Sequence, residues 1–311
     1  MAELVLLMGI PASGKSTLSR EYREKGYTIL SSDEIRQKLL DGEAYPQNKE
    51  VLDPLNNAVF SLIKEQARET LLSGGNVLFD ATNLNRKRRR GFLSFFSNIP
   101  CHKKCILVLA PREVCLERNS RRGGVCRVPD DVMEDTFKRF ECPVYAEGWD
   151  EIVPAVSSEE YKFPFEMTKG FSQDNPHHTL DLFGHMESAK NFAIENGYSK
   201  RLVRLAFYHD IGKFYTKTFF TYKGEPCENA HFYDHENYSA FLYITEMCCG
   251  KELSKEEFDE ILYDTALIGA HMRPLNAWRC SENARARDLA LYGEKFINDL
   301  ELLNKADASA H

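Results

Sequence analysis

The 311-residue chain has no apolar run long enough to span a bilayer. Its opening hydrophobic segment, Leu4 to Met8, is too short for a secretory signal and lacks a basic flank and a cleavage site. Both absences point to a cytoplasmic protein with no membrane partner. No CxxC pair occurs among the nine cysteines, so the chain does not read as a disulfide scaffold, and reduced, mostly buried thiols are expected. Internal repeats and low-complexity tracts are missing as well. A net charge of −7 argues against a general affinity for nucleic acid, yet the basic residues are clustered. Arg86, Lys87, Arg88, Arg89 and Arg90 form one run, and Arg118, Arg121, Arg122 and Arg127 another. Together they could line a local positive channel; alone, the first run reads equally well as a solvated helix face.

What is present begins with Gly9 to Thr17, GIPASGKST, a complete GxxxxGK[ST] phosphate-binding loop. An apolar strand candidate, Leu4 to Met8, precedes it and a helix-compatible STLSREYREK follows. Backbone N–H groups of such a loop cradle a di- or triphosphate at a helix N-terminus, Lys15 reaches the outer phosphates and Ser16 ligates Mg²⁺. Gly9, Ser13, Gly14, Lys15, Ser16 and Thr17 are therefore the candidate contacts to ATP, with Mg²⁺ as its companion.

At this length two domains are expected, each with its own core. In the first half, short apolar runs at Leu4 to Met8, Tyr27 to Leu30, Val77 to Phe79 and Cys105 to Leu109 alternate with helical patterns such as Val51 to Leu72 and Arg112 to Arg121. That alternation predicts an α/β domain over residues 1–150, a parallel sheet with helices on both faces and its chemistry at the carboxyl ends of the strands. From Glu151 the pattern lapses into prolines, serines and scattered aromatics, so residues 151–172 read as a connector. Over residues 173–311 long helical periodicities take over: Leu182 to Glu195, Lys200 to His209, Asn237 to Met247, Lys255 to Gly269 and Arg285 to Asn304. The second domain reads as all-α.

A kinase needs a group to accept the proton of the attacking hydroxyl, and Asp33, just after the second strand candidate, is suited to it; its alternative role is a helix N-cap in SSDEIR. Arg36 follows on the same helical face. Asp80, Thr82 and Asn83, in FDATN, end the third strand candidate, where Asp80 could order the metal shell or orient an acceptor-site arginine. Arg118 to Pro129 breaks a helix into a glycine-rich, arginine-bearing segment suited to a lid over the phosphates. In order and spacing, Gly9 to Thr17, Asp33 with Arg36, DATNLN at Asp80 to Asn85 and Arg118 to Arg122 resemble the phage-type polynucleotide 5′-kinases over about the first 145 residues. The resemblance implies Asp33 as general base on a 5′-hydroxyl, Arg36 on the acceptor's neighbouring phosphate, and Arg118 and Arg122 on the ATP phosphates. DxxR and DxTN also occur in small-molecule and zeta-toxin-like kinases, so the acceptor rests on the basic run and the lid.

Seven of the nine histidines lie between His177 and His271. The sharpest element is YHDIGK, Tyr208 to Lys213, whose adjacent His209 and Asp210 offer a nitrogen and an oxygen ligand to a divalent metal. His185, His235 and His271 each sit in or at the end of a helical pattern, and Asp307 closes the last one, with Asp288 as its competitor. These elements resemble the HD superfamily of metal-dependent phosphohydrolases. The resemblance implies His185, His209, Asp210 and Asp307 as the four-ligand core, His235 and His271 as the extra histidines of two-metal or phosphate-binding members, and Lys213 on a substrate phosphate. Mn²⁺, Ni²⁺, Co²⁺ and Mg²⁺ are the candidate cations. His177, His178 and His231 stay open between substrate contacts and plain surface residues.

A kinase and a phosphohydrolase in one chain would be futile on one small metabolite but useful on the two ends of a broken strand. The expectation is end healing of RNA, with DNA also open: phosphorylation of a 5′-hydroxyl and removal of a 2′,3′-cyclic, 2′- or 3′-phosphate, leaving ends for a polynucleotide ligase. The alternatives are a small-molecule or nucleotide kinase carrying a nucleotidase, and a non-catalytic nucleotide sensor. Intact Lys15, Asp33, His209 and Asp210 speak against the sensor.

Overall fold

The computed structural model describes residues 1–43, 48–176 and 179–310. Its contacts divide the chain into two compact units, Met1–Met133 with Glu147–Glu159 and Glu134–Ala146 with Glu160–His311. The first unit runs β1 (Ala2–Met8), α1 (Lys15–Glu24), β2 (Thr28–Ser31), α2 (Ser32–Leu40), α3 (Lys49–Leu72), β3 (Val77–Asp80), α4 (Arg86–Phe95), β4 (Cys101–Leu109) and α5 (Arg112–Ser120). α6 (Asp130–Lys138) carries the chain into the second unit, and β5 (Glu151–Val156) completes the first.

All five strands are parallel, in the order β2-β3-β1-β4-β5. Leu4 to Met8 and Cys105 to Leu109 are buried, as strands covered on both faces must be. On one face Val5, Leu7, Leu78, Ile106 and Val108 pack with Leu18 and Tyr22 of α1. On the other, Phe79 meets the rings of Phe60 on α3 and Phe92 on α4. α3 supplies its stripe at helical spacing, with Val59, Ile63, Ala67 and Leu71 all buried. β1 lies between β3 and β4, so winding reverses at its carboxyl end, the place where open α/β sheets bind ligands.

Residues Glu151–Val156, expected to open a connector, instead form β5. Pro154 obscured the strand, but β5 pairs only with β4, and an edge strand has one side free of ladder bonds where a proline is tolerated. The first basic run is only in part a solvated face. Arg89 is 1% exposed and grips Glu147 through two bonds of 2.7 Å. Its third nitrogen donates to the carbonyls of Asn83 and Leu84, fixing the loop after β3. Arg86 lies 3.4 Å from the same carboxylate, while Lys87, Arg88 and Arg90 face solvent.

The second unit contains α7 (Leu182–Glu195), α8 (Lys200–Tyr208), α9 (Lys213–Thr216), α10 (His235–Cys248), α11 (Lys255–Ala270), α12 (Glu282–Tyr292) and α13 (Glu294–Ala308). α7 packs on α8, α10 on α11, and α13 against α7, α8 and α11. The helix expected over Arg285 to Asn304 is two, because Gly293 takes φ 82 and breaks it. The unit is not all-helical: β6 (Lys217–Phe220) and β7 (Pro226–Phe232) form an antiparallel hairpin between α9 and α10. No helix among the described residues is long and apolar enough to cross a membrane.

Removing one partner of the buried Arg89–Glu147 pair leaves a charge uncompensated. Glu147→Ala should therefore lower the stability of the first unit by about 3–5 kcal/mol, measured by urea unfolding. Replacing Arg89 and Glu147 together by Met and Leu should recover most of that loss.

Candidate functional site

β1 ends at Met8 and the chain turns at once into the phosphate-binding loop. Gly9 has no room for a side chain, since a Cβ there would lie 2.5 Å from the Val108 carbonyl oxygen. Gly14 takes φ 117 and caps α1, whose first N–H groups point into the loop. Ala12 also adopts a left-handed φ of 65. Lys15 is 9% exposed and its ammonium donates to the carbonyls of Gly9 at 2.9 Å and Ile10 at 2.7 Å. Burial lowers its pKa to about 8 despite the opposing field of Asp80. The Ser13 hydroxyl is buried with no hydrogen-bond partner, an orphan that a phosphate oxygen would satisfy.

A cavity of 520 Å³ opens beside the loop, lined by Ser13, Gly14, Ser16 and Thr17, by Arg118 and Arg122, and by Val156 to Ser158 after β5. Both lid arginines expected from the sequence thus reach the phosphate site. Arg118 is held 3.2 Å from Glu159. The lid's ends are tied together by Asn119, whose side-chain amide binds the Val128 carbonyl at 2.7 Å and accepts from its N–H at 3.0 Å.

Across the rim, Asp33 lies in the first turn of α2, and the N-cap is Ser31, whose hydroxyl accepts from Glu34 N–H. Arg36 donates to Asp33 at 2.7 Å and its fork is steadied by Asn56 of α3, at 3.1 and 3.3 Å. Asn56 was invisible in the sequence, because nothing local marks an asparagine twenty positions away as a partner. Asp80 accepts from Ser19 Oγ of α1 at 2.6 Å and sits within the field of Lys15, which puts it beside the phosphate loop and not on Arg36. Its pKa is raised, chiefly by burial. Thr82 contributes its carbonyl to Gly9 N–H. The Asn83 amide nitrogen donates to the Leu7 carbonyl at 2.7 Å, so it anchors the loop to β1.

In the second unit, five side chains drawn from a span of more than a hundred positions converge on Asp210. His185, His209 and Asp307 surround its Oδ2 side, and His235 and His271 its Oδ1 side. His185 Nε2 lies 3.0 Å from Oδ2 and His209 Nε2 3.3 Å; His235 Nε2 lies 3.1 Å from Oδ1 and His271 Nε2 3.4 Å. Asp307 Oδ1 is 3.2 Å from both imidazoles of the first group. Asp210, His209 and His271 are at most 1% exposed.

Each imidazole's other nitrogen is occupied. Nδ1 lies 2.6 Å from the Ala310 carbonyl in His185, 2.8 Å from Ala206 in His209, 2.7 Å from Phe232 in His235 and 2.7 Å from Ile268 in His271. A carbonyl only accepts, so Nδ1 carries the hydrogen and Nε2 turns its lone pair inward. His185 and His209 then face each other at 3.3 Å between Nε2 atoms, and His235 and His271 at 3.2 Å. Two lone pairs at that separation repel unless positive charge lies between them. Without a cation that charge must be protons: burial works against it in His209, but Asp210 and Asp307 prevail and raise its pKa to about 10. The donor set is of a kind that could hold divalent metal ions, with His185, His209, Asp210 and Asp307 as one group and Asp210, His235 and His271 as another.

Asp288 is not in the cluster. Its carboxylate takes both nitrogens of an Arg273 fork, at 2.6 and 2.8 Å, and the Trp278 indole at 2.7 Å. Lys213, expected on a substrate phosphate, is 5% exposed, 2.7 Å from Asp210 Oδ2 and 3.0 Å from the Gln173 side-chain oxygen. Gln173 was likewise unmarked in the sequence. His231 stacks on Tyr233 outside the cluster, and His177 and His178 lie outside the described residues.

Protonated Lys15 is the form that binds phosphate, and its pKa near 8 lies below the ordinary 10.5. ATP affinity should therefore hold up to about pH 8 and weaken above it, by up to about tenfold per pH unit. Calorimetric titration between pH 7 and 9.5, in buffers of different ionisation enthalpy, should detect proton uptake on binding above pH 8.

The family model described as AAA domain matches residues 4–143. The chain is 28% identical over 153 residues to the L-seryl-tRNA(Sec) kinase of Methanococcus maripaludis, covering 47% of this chain and 56% of that protein. It is also 28% identical over 145 residues to a protein of Autographa californica nuclear polyhedrosis virus, provisionally named a bifunctional polynucleotide kinase/RNA ligase, covering 44% of this chain and 21% of that one. A solved structure from Chloroflexus aurantiacus, provisionally a kinase, aligns at a TM-score of 0.43 with 19% identity, over 50% of this chain and 84% of that one, too loosely to argue from. The chain thus spans little more than half of one curated relative and a fifth of the other. Residues 4–143 carry a P-loop, kinase-like domain with a parallel sheet, the fold that implies ATP and Mg²⁺, and the six cluster residues all lie beyond that match.

Proposed function

We propose that the chain heals both ends of a broken RNA strand, phosphorylating a 5′-hydroxyl from ATP in the first unit and removing a 2′,3′-cyclic, 2′- or 3′-phosphate in the second. The observation that carries the reading is the pairing, in one chain, of a P-loop cavity lined by two arginines with a buried histidine–carboxylate cluster. One unit is equipped to add phosphate and the other to remove it. Opposed reactions avoid futility when they act on different ends. A polynucleotide acceptor is further supported by the name of the viral relative.

In the first unit, the loop N–H groups and Lys15 hold the ATP phosphates, and the 5′-hydroxyl oxygen attacks the γ-phosphorus in line with departing ADP. Asp33 takes the hydroxyl proton, and Arg36, steadied by Asn56, holds the acceptor's neighbouring phosphate. Arg118 and Arg122 close on the transferring group, which requires Arg118 to leave Glu159. Ser16 and Asp80 are the residues that would serve Mg²⁺, which supplies charge neutralisation on the phosphates.

In the second unit, His185, His209, Asp210 and Asp307 would hold one divalent cation and Asp210, His235 and His271 a second, drawn from Mn²⁺, Ni²⁺, Co²⁺ and Mg²⁺. Such a pair supplies Lewis acidity to phosphate-ester hydrolysis. The chain's own part is to aim every Nε2 inward through its Nδ1–H bond, and to hold Asp210 with Lys213. Both reactions leave ends that a polynucleotide ligase joins.

Given labelled ATP and a 5′-hydroxyl oligoribonucleotide ending in a 2′,3′-cyclic phosphate, the protein should label the strand and open and remove the cyclic phosphate. Lys15→Ala should abolish only the first reaction and the pair His209→Ala, Asp210→Ala only the second. Label on a nucleoside or sugar but not on the strand defeats the proposal. Elemental analysis should find about two divalent cations per chain. His271→Ala should lower that count to about one.

A further inference from the structure

The β6–β7 hairpin is the one element of the second unit that its helical packing does not account for. A two-stranded hairpin is marginal by itself, and this one spends its apolar residues on solvent. Phe219, Phe220 and Tyr222 are 43%, 52% and 86% exposed. Tyr222 meets Tyr233 edge-on at 5.6 Å, and Tyr233 stacks on His231 at 5.1 Å and 15°. Tyr222, Tyr233 and His231 form a connected, half-open aromatic surface, and Phe219 and Phe220 are exposed on the same hairpin. Such a surface costs solubility unless something covers it.

Both ends of the hairpin are fastened to the metal-ligand cluster. β6 begins four positions after Lys213, which bonds Asp210, and β7 ends at Phe232, whose carbonyl takes the Nδ1–H of His235. The Phe232 ring also lies 5.5 Å from the Lys213 ammonium. The ribbon therefore rises from the rim of the cluster, and its tip at Thr221 to Gly224 lies about 10–15 Å along the strands, a reach of roughly two nucleotides. Its charge is balanced: Lys217 and Lys223 are offset by Glu225 and Glu228. Attraction to a phosphate backbone is thus not what these residues provide, whereas aromatic faces stack on any unpaired base.

We propose that this hairpin is a stacking platform for the unpaired bases adjoining the phosphate end that the cluster processes. The proposal rests on the end-healing reading and narrows its substrate to a single-stranded terminus of at least two or three nucleotides. Tyr222 and Phe220 take the bases next to the terminal one, and Tyr233 with His231 backs them. Selection is by strand length and single-strandedness, not by sequence.

The test uses the full chain with Phe220→Ala or Tyr222→Ala, neither residue being buried or in the cluster. The substrates are a 5′-phosphorylated six-nucleotide RNA ending in a 2′,3′-cyclic phosphate, the same RNA abasic at the second and third positions from that end, and a nucleoside 2′,3′-cyclic phosphate. Each substitution should raise KM for the oligonucleotide about tenfold, leave kcat unchanged and leave the mononucleotide unaffected. The abasic strand should show the same loss with wild-type protein and no further loss with the variants. Anisotropy of the labelled oligonucleotide should weaken in parallel, with an unchanged slope against salt. Equal losses on mononucleotide and oligonucleotide, or a changed salt slope, would overturn the platform. If wild-type protein cleaves no phosphate ester the end-healing reading fails, and the anisotropy arm still judges the hairpin: unchanged binding by the variants overturns it.

Discussion

A carboxylate removed from water must be compensated, and around Asp210 the compensation comes from the Lys213 ammonium and from four imidazoles whose orientation is dictated by main-chain carbonyls. The carbonyls are available because of where the histidines sit. His209 and His271 are the C-caps of α8 and α11, and each donates to the carbonyl three residues back, one of the groups a helix end leaves unpaired. His185 uses Ala310, past the end of α13, and His235 uses the last carbonyl of β7. One set of bonds thus closes helix ends and points every Nε2 at a common centre. The arrangement of α7, α8, α10, α11 and α13 is tied to it, since each brings an end or a turn to the cluster around the same carboxylate.

The first unit solves the related problem of holding anions, with backbone rather than side chains. Close packing of β1 against β4 leaves Gly9 no space for a Cβ, and the left-handed Ala12 and Gly14 turn the loop so that N–H groups converge at the start of α1. Lys15 donates to two of the loop's own carbonyls, and its burial there lowers its proton affinity. The loop is a preformed site, because its shape is already fixed by these bonds and little reorganisation is needed on binding.

Much of both sites could be read from the sequence, for a local reason: a phosphate loop is defined by contiguous residues, and adjacent His209 and Asp210 form a compact signature. The parallel sheet followed from apolar runs that are buried on both faces. What escaped were decisions made across the chain. Asp307 and Asp288 both end or occupy helices in the C-terminal stretch, and only tertiary packing gives one to the cluster and the other to Arg273 and Trp278. Arg89 looked like surface charge because its partner, Glu147, is fifty-eight positions away. The β6–β7 hairpin was missed because its polar and aromatic residues face solvent, leaving no buried periodicity to mark it.

The arginine clusters bear on how an acidic protein would meet a nucleic acid. Arg86 and Arg89 share Glu147, Arg121 pairs with Glu117, Arg127 with Asp130, Arg118 with Glu159 and Arg36 with Asp33. Taken together, these pairs dissolve most of the continuous positive channel that the basic runs suggested. A duplex-tracking protein would have to leave such charges free, since its affinity scales with the phosphates it neutralises. An enzyme that acts at termini has a different requirement: one or two cations released from a carboxylate when the correct phosphate arrives. Arg118 and Arg36, each paired with an accessible acid, meet that requirement. On the proposed function, specificity for ends is thus a consequence of positive charge that is locally balanced and singly exchangeable, and an overall charge of −7 suppresses binding along the strand.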